Sequence, residues 1–107
     1  MFTFVELPTF AKYREDYLDD AQFAVLQAYL MRRPAAGDVV PGTGGVRKLR
    51  WSRGGMGKRG GLRVIYYAQD RKGRIWLITL YAKSARENIA AATLRQYREA
   101  IEHAEID

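Results

Sequence analysis

Hydrophobic and polar positions follow two different periods along the chain, and the switches between them mark its elements. Phe2-Thr3-Phe4-Val5-Glu6 is rich in β-formers and predicts an opening strand. Pro8 follows, a residue suited to the first turn of a helix. Phe10, Tyr13 or Arg14, and Tyr17 then recur at helical spacing, up to a break at Leu18-Asp19-Asp20. Asp19 with Gln22 three residues later has the form of a capping box, and predicts a second helix from about Asp20 to Arg32. Phe23, Leu26 and Leu30 fall at i, i+3 and i+7 and make its buried stripe, and Pro34 and Gly37 end it. The two helices read as a hairpin.

The period then changes to two. After a connector from Val39 to Gly45, Val46 to Trp51 predicts a strand with Lys48 and Arg50 on one face and Leu49 and Trp51 turned to the core. Ser52 to Gly61 is glycine-rich and basic, without a β pattern, and reads as a loop. Leu62 to Ala68 and Arg74 to Ala82 predict two more strands, joined by a turn at Asp70-Arg71-Lys72-Gly73. Both are apolar on both faces, as central strands are. Ser84-Ala85-Arg86-Glu87 has the form of a second capping box, opening a helix to about Ala104 with Ala90, Leu94, Tyr97 and Ile101 as its stripe. The expected order is βααβββα, an α+β fold in one domain over residues 1–107, its helices on one side of a mostly antiparallel sheet.

Charge changes this picture from a fold to a partner. The net charge of the 107 residues is +6. Residues 1–38 hold four bases and six acids, residues 39–86 twelve bases and one acid, Asp70, and residues 87–107 two bases and five acids. A middle of net +11 between acidic ends favours a polyanion, with nucleic acid ahead of an anionic membrane. The chain has no cysteine and a single histidine, His103, which excludes disulfides, thiol nucleophiles and His-pair metal sites. No apolar run approaches the length of a membrane span, and the N-terminus lacks the pattern of a signal peptide, so a soluble, cytoplasmic protein is expected.

Nine of the ten glycines lie between Gly37 and Gly61, in a stretch that also carries Arg47, Lys48, Arg50, Arg53, Lys58 and Arg59. Glycine admits close backbone approach, and exposed amides can help hold phosphate. The spacing fits neither a P-loop nor a dinucleotide fingerprint, so no nucleotide cofactor, ATP or NAD, is expected. In a meander, Lys48 and Arg50, Arg63, and Lys83 come from neighbouring strands and can converge on one phosphate. Each alone reads equally well as decoration of a solvated face. Together they extend a run of 31 residues, Val39 to Gln69, with seven bases and no acid. Trp51, Tyr66, Tyr67 and Trp76 read mainly as core; Tyr81, at a strand end beside Lys83, is the candidate to stack on a base.

Gly42-Thr43-Gly44-Gly45-Val46-Arg47-Lys48-Leu49-Arg50-Trp51, followed by Gly57-Lys58-Arg59-Gly60-Gly61-Leu62-Arg63-Val64-Ile65-Tyr66-Tyr67, resembles the RelE-like toxins of the RelE/ParE superfamily, and most nearly their HigB-type branch. The resemblance spans nearly the whole chain. It implies the toxin of a type II toxin–antitoxin pair, a metal-independent endoribonuclease that cuts mRNA in the ribosomal A site and so inhibits translation. In such enzymes the 2′-hydroxyl attacks the adjacent phosphate, which calls for a base, a clamp on the developing charge and an acid for the leaving oxygen. A lysine among like charges can serve as the base. Carried over by position, Lys48 is the candidate base, Arg50 a phosphate binder, Arg63 the transition-state clamp and Lys83 the basic residue after the last strand. Arg47, Arg53, Lys58, Arg59 and Tyr81 are candidate RNA contacts. No general acid is assigned. The implied partners are mRNA, the ribosome with its rRNA, and a cognate antitoxin with a helix-turn-helix DNA-binding domain; no membrane is implied. A ParE-like gyrase inhibitor and a non-catalytic RNA-binding module are the alternatives.

Overall fold

The computed structural model describes residues 3–52, 61–68, 70–83 and 89–106. Its elements are β1 (Thr3–Glu6), α1 (Pro8–Tyr17), α2 (Asp20–Arg32), β2 (Asp38–Val39), β3 (Val46–Ser52), β4 (Gly61–Tyr67), β5 (Arg74–Ala82) and α3 (Ala91–Ile106). The strands form one sheet in the order β1-β5-β4-β3-β2. β3, β4 and β5 make the expected antiparallel meander, and β1 lies parallel to β5 at one edge.

The helical hairpin forms for the reasons its sequence suggests. Pro8 opens α1. The Asp19 carboxylate accepts from the Gln22 amide at 2.7 Å, while Gln22 Oε1 accepts from the Asp19 amide at 2.9 Å. This capping box satisfies two amides that helix geometry leaves without partners. The corner between the helices is braced by Arg14, which donates to Asp20 at 2.9 Å and lies over the Phe23 ring.

The structure corrects three expectations. The connector after α2 contains a strand, β2, paired antiparallel with β3. The helices do not share one side of the sheet. Phe10, Phe23, Leu26 and Leu30 of α1 and α2 pack on Leu49, Leu62, Val64, Tyr66 and Leu77. Leu94 and Ile101 of α3 pack on Val46, Ile65, Trp76, Ile78 and Tyr81, on the opposite face. Periodicity shows that a helix has an apolar stripe but not which face of a sheet receives it, and β4 and β5 are apolar on both. Finally, α3 begins at Ala91, with Ala90 supplying its carbonyl to Thr93 and Leu94, and spans about 24 Å rather than 30 Å. The Ser84–Glu87 capping pattern lies outside the described residues. Among those described, no helix is long and apolar enough to cross a membrane.

Candidate RNA-phosphate site

Strand register decides which cations meet. Arg50 of β3 stands directly opposite Arg63 of β4, and Arg63 stands opposite Tyr81 of β5. These three residues therefore form one rung across the sheet, on the face that carries α3, since Tyr81 packs in that core. Lys48 lies two residues along β3, opposite Ile65, and so shares the face. Lys83 is exposed just past the end of β5, where its amide donates to the Gly61 carbonyl at 3.3 Å and holds it beside the start of β4. The structure thus places Arg50, Arg63 and Lys83 towards one end of the three-strand meander, with Lys48 on the same face nearer its middle.

That rung runs against stability. Like charges directly across an antiparallel pair destabilise it. None of the three salt bridges among the described residues involves Arg50, Arg63 or Lys83. Among the described residues the Arg63 guanidinium makes a long hydrogen bond, 3.4 Å, to the Leu62 carbonyl. Arg63 is partly buried and Arg50 exposed, so a ligand can reach both. A local conflict of this kind is what a functional site produces. Preset cations stabilise a phosphate whose charge is growing without reorganising to do so.

The remaining sequence candidates separate. Arg47 points to the opposite face, and its Nη1 donates to the carbonyls of Gly37 at 2.7 Å and Ala35 at 3.2 Å. Tyr81 does not stand clear of the core: it is 6% exposed, because the α3 core covers its ring. Arg53, Lys58 and Arg59 lie outside the described residues. Gly42, Gly44 and Gly45, read as a possible phosphate cradle, instead turn the chain between β2 and β3 with positive φ. Thr43 closes that turn, its hydroxyl donating to the Val40 carbonyl and accepting from the Val46 amide. Trp51 is half-buried against Tyr29, as expected of a core aromatic, and His103 is exposed.

Sequence reasoning missed one acid at the site. Asp38 of β2 is directly opposite Lys48, so its carboxylate shares the face of the candidate base. A two-residue strand has no alternation to detect, and only the pairing reveals it. Behind the site, Tyr66 locks this connector to the sheet. Its buried hydroxyl accepts from the Gly37 amide at 2.9 Å and donates to the Pro34 carbonyl at 2.7 Å. Burial pushes the phenol above its ordinary range, against the opposing pull of the Gly37 bond and the Arg47 charge, so it stays a neutral donor. A Cβ at Gly37 would lie 2.9 Å from the Tyr66 ring and 3.1 Å from the Lys48 backbone, so only glycine lets β2 sit against Lys48. Among the described residues, no group of three or more His, Asp or Glu side chains is placed to hold a metal ion.

A family model described as the RelE toxin of the RelE/RelB toxin–antitoxin system matches residues 7–106. A solved structure of the E. coli toxin RelE in the free state, with two arginines changed to alanine, superposes with a TM-score of 0.54 at 18% sequence identity. The match covers 91% of this chain and 94% of that one, and is a likeness of fold.

Proposed function

The chain belongs to the RelE toxin family, the toxin side of a toxin–antitoxin system, and on that premise we propose that it is a ribosome-dependent mRNA endoribonuclease. The observation that carries the reading is the rung of Arg50, Arg63 and Tyr81, with Lys48 on the same face and Lys83 at the strand end. Arg50, Arg63 and Lys83, with no acidic partner for the central arginine pair among the described residues, suit one RNA phosphate in the act of gaining charge, with Lys48 beside them as the candidate base.

In the proposed reaction Lys48 takes the proton from a 2′-hydroxyl, and the oxygen attacks the adjacent phosphorus. Arg63 and Arg50 hold the non-bridging oxygens as negative charge accumulates there, and Lys83 adds to the field from the end of β5. The P–O5′ bond breaks and the leaving oxygen takes a proton from water, giving a 2′,3′-cyclic phosphate and a 5′-hydroxyl. The chemistry calls on no metal ion. Arg53, Lys58 and Arg59 would extend the contact along the RNA. The same reading places the chain in the HigB-type branch, in the cytoplasm, and beside a cognate antitoxin with a helix-turn-helix domain.

Purified protein incubated with mRNA-programmed ribosomes tests this. Wild type is expected to produce discrete new 5′ ends, and Lys48→Ala or Arg63→Ala to slow their appearance by about 100-fold or more. Equal cleavage by wild type and these variants overturns the proposal. So does inhibition of DNA supercoiling by gyrase in the absence of any RNA cut.

A further inference from the structure

The other end of the same sheet carries cations that the proposed reaction does not use. Asp70-Arg71-Lys72-Gly73 connects β4 to β5. The Asp70 carboxylate is buried and accepts from four donors. Its Oδ1 takes the amides of Lys72 and Arg74, both at 2.9 Å, and its Oδ2 takes Arg74 Nε at 2.6 Å and Trp76 Nε1 at 2.9 Å. The Asp70 amide donates in turn to the Arg74 carbonyl at 3.0 Å. The sole acid of residues 39–86 is therefore spent inside the turn, where it stiffens the backbone and balances Arg74. Arg71 and Lys72 are exposed, and neither takes part in an ion pair among the described residues.

We propose that Arg71 and Lys72 form a second anchor, gripping the sugar-phosphate backbone of folded ribosomal RNA. The inference deepens the nuclease reading and rests on it for the identity of the RNA. Three observations select this ligand. A stiff turn fixes the backbone from which the two cations project, so less chain ordering opposes binding. Among the described residues no exposed aromatic accompanies them, since Trp76 is buried and Tyr67 is half-buried under the Arg98 guanidinium, 4.2 Å above its ring. The turn thus offers charge without a stacking platform, which suits phosphates rather than unpaired bases. The exposed large hydrophobic residues among those described are Tyr13, Val25, Met31 and Val39, none of them in the turn, so its described residues offer no apolar side chain to a lipid surface. Arg74 and Tyr81 stand seven positions apart along β5, about 23 Å at strand rise. That span puts the anchor on a different stretch of RNA from the phosphate at the rung, and two-point attachment raises the effective concentration of each contact.

The test is binding of Arg71→Gln/Lys72→Gln to purified small ribosomal subunits across a salt series, beside wild type and Lys72→Gln alone. Each phosphate contact contributes about 0.9 to the slope of log affinity against log salt on duplex nucleic acid. The double variant should flatten the slope by about 1.8 and the single variant by about 0.9. The gap between wild type and double variant should then close by about tenfold between 50 and 200 mM salt. In the cleavage assay KM should rise with kcat unchanged, and thermal melting should not move. Unchanged affinity and slope overturn the anchor even if wild type cuts mRNA. Weakened subunit binding sustains it even if no cut is found. Loss of binding to anionic phosphatidylglycerol vesicles with ribosome binding intact overturns it in favour of a membrane.

Discussion

Two arginines on neighbouring strands of one sheet show two uses of the same side chain. Arg74, at the start of β5, meets a buried carboxylate at 2.6 Å and lies over the Trp76 ring. Arg63, on β4, faces another arginine on one side and a tyrosine on the other. The first has its charge paired by the protein, though its buried Nη2 finds no hydrogen-bond partner; the second faces no counter-charge among the described residues. Counting basic residues cannot separate them; the partner across the strand can.

The comparison can be broken at either end. The largest effect is expected at the unsatisfied one. Arg63→Ala should lower the ribosome-dependent cleavage rate by about 100- to 1000-fold, the scale of losing one preset donor to developing charge, with no loss of stability in urea. A parallel fall in both would show that Arg63 is structural.

At the satisfied end, Asp70→Asn presents an amide to donors that need an acceptor. Urea unfolding should show a loss of about 2–4 kcal/mol, with cleavage per folded molecule unchanged. The pH dependence follows from the same contacts. Burial pushes the Asp70 carboxyl upward, but the bonds from Trp76, Arg74 and Lys72 outweigh it and hold the group at about 2. A carboxyl lowered on folding stabilises the fold above its unfolded value near 3.8, and that contribution, about 2 kcal/mol, disappears as pH falls through about 2. Acid unfolding of wild type should show this decline, and Asp70→Asn should abolish it.

A smaller change is expected behind the site. Tyr66→Phe removes the hydroxyl between Pro34 and Gly37 and leaves the buried Gly37 amide without that acceptor, costing about 1–3 kcal/mol in thermal or urea unfolding. Smallest of all, Arg50→Gln should stabilise the fold by about 0.2–1 kcal/mol by removing the like charge across from Arg63, while weakening RNA binding. If it destabilises instead, the rung is held by contacts other than those described.

Much of this was legible before any coordinates. The Asp19–Gln22 box, the Phe23-Leu26-Leu30 stripe and the alternation in Val46–Trp51 each report a local cause, and each appears as read. The rest depends on distance along the chain. Arg50 meets Arg63 because of register, which the intervening loop does not fix from sequence. A bulge between Ile65 and Tyr66 shifts the pairing with β5, so alternation alone misaligns the lower half of that strand. Asp38 faces Lys48 through a strand too short to have a pattern. The glycines at 42, 44 and 45 were legible as special backbone but not as to purpose; positive φ served a turn rather than a ligand.

The edge pairing of β1 with β5 has a consequence in time. It joins Thr3 to Arg74, two of the most distant partners in the fold, so the sheet closes only after a long search. A growing polypeptide that has reached Tyr67 already contains Lys48, Arg50 and Arg63, yet nothing then sets Tyr81 beside them or seats α3 over their face. The gathered geometry therefore forms only after both β5 and α3 have emerged.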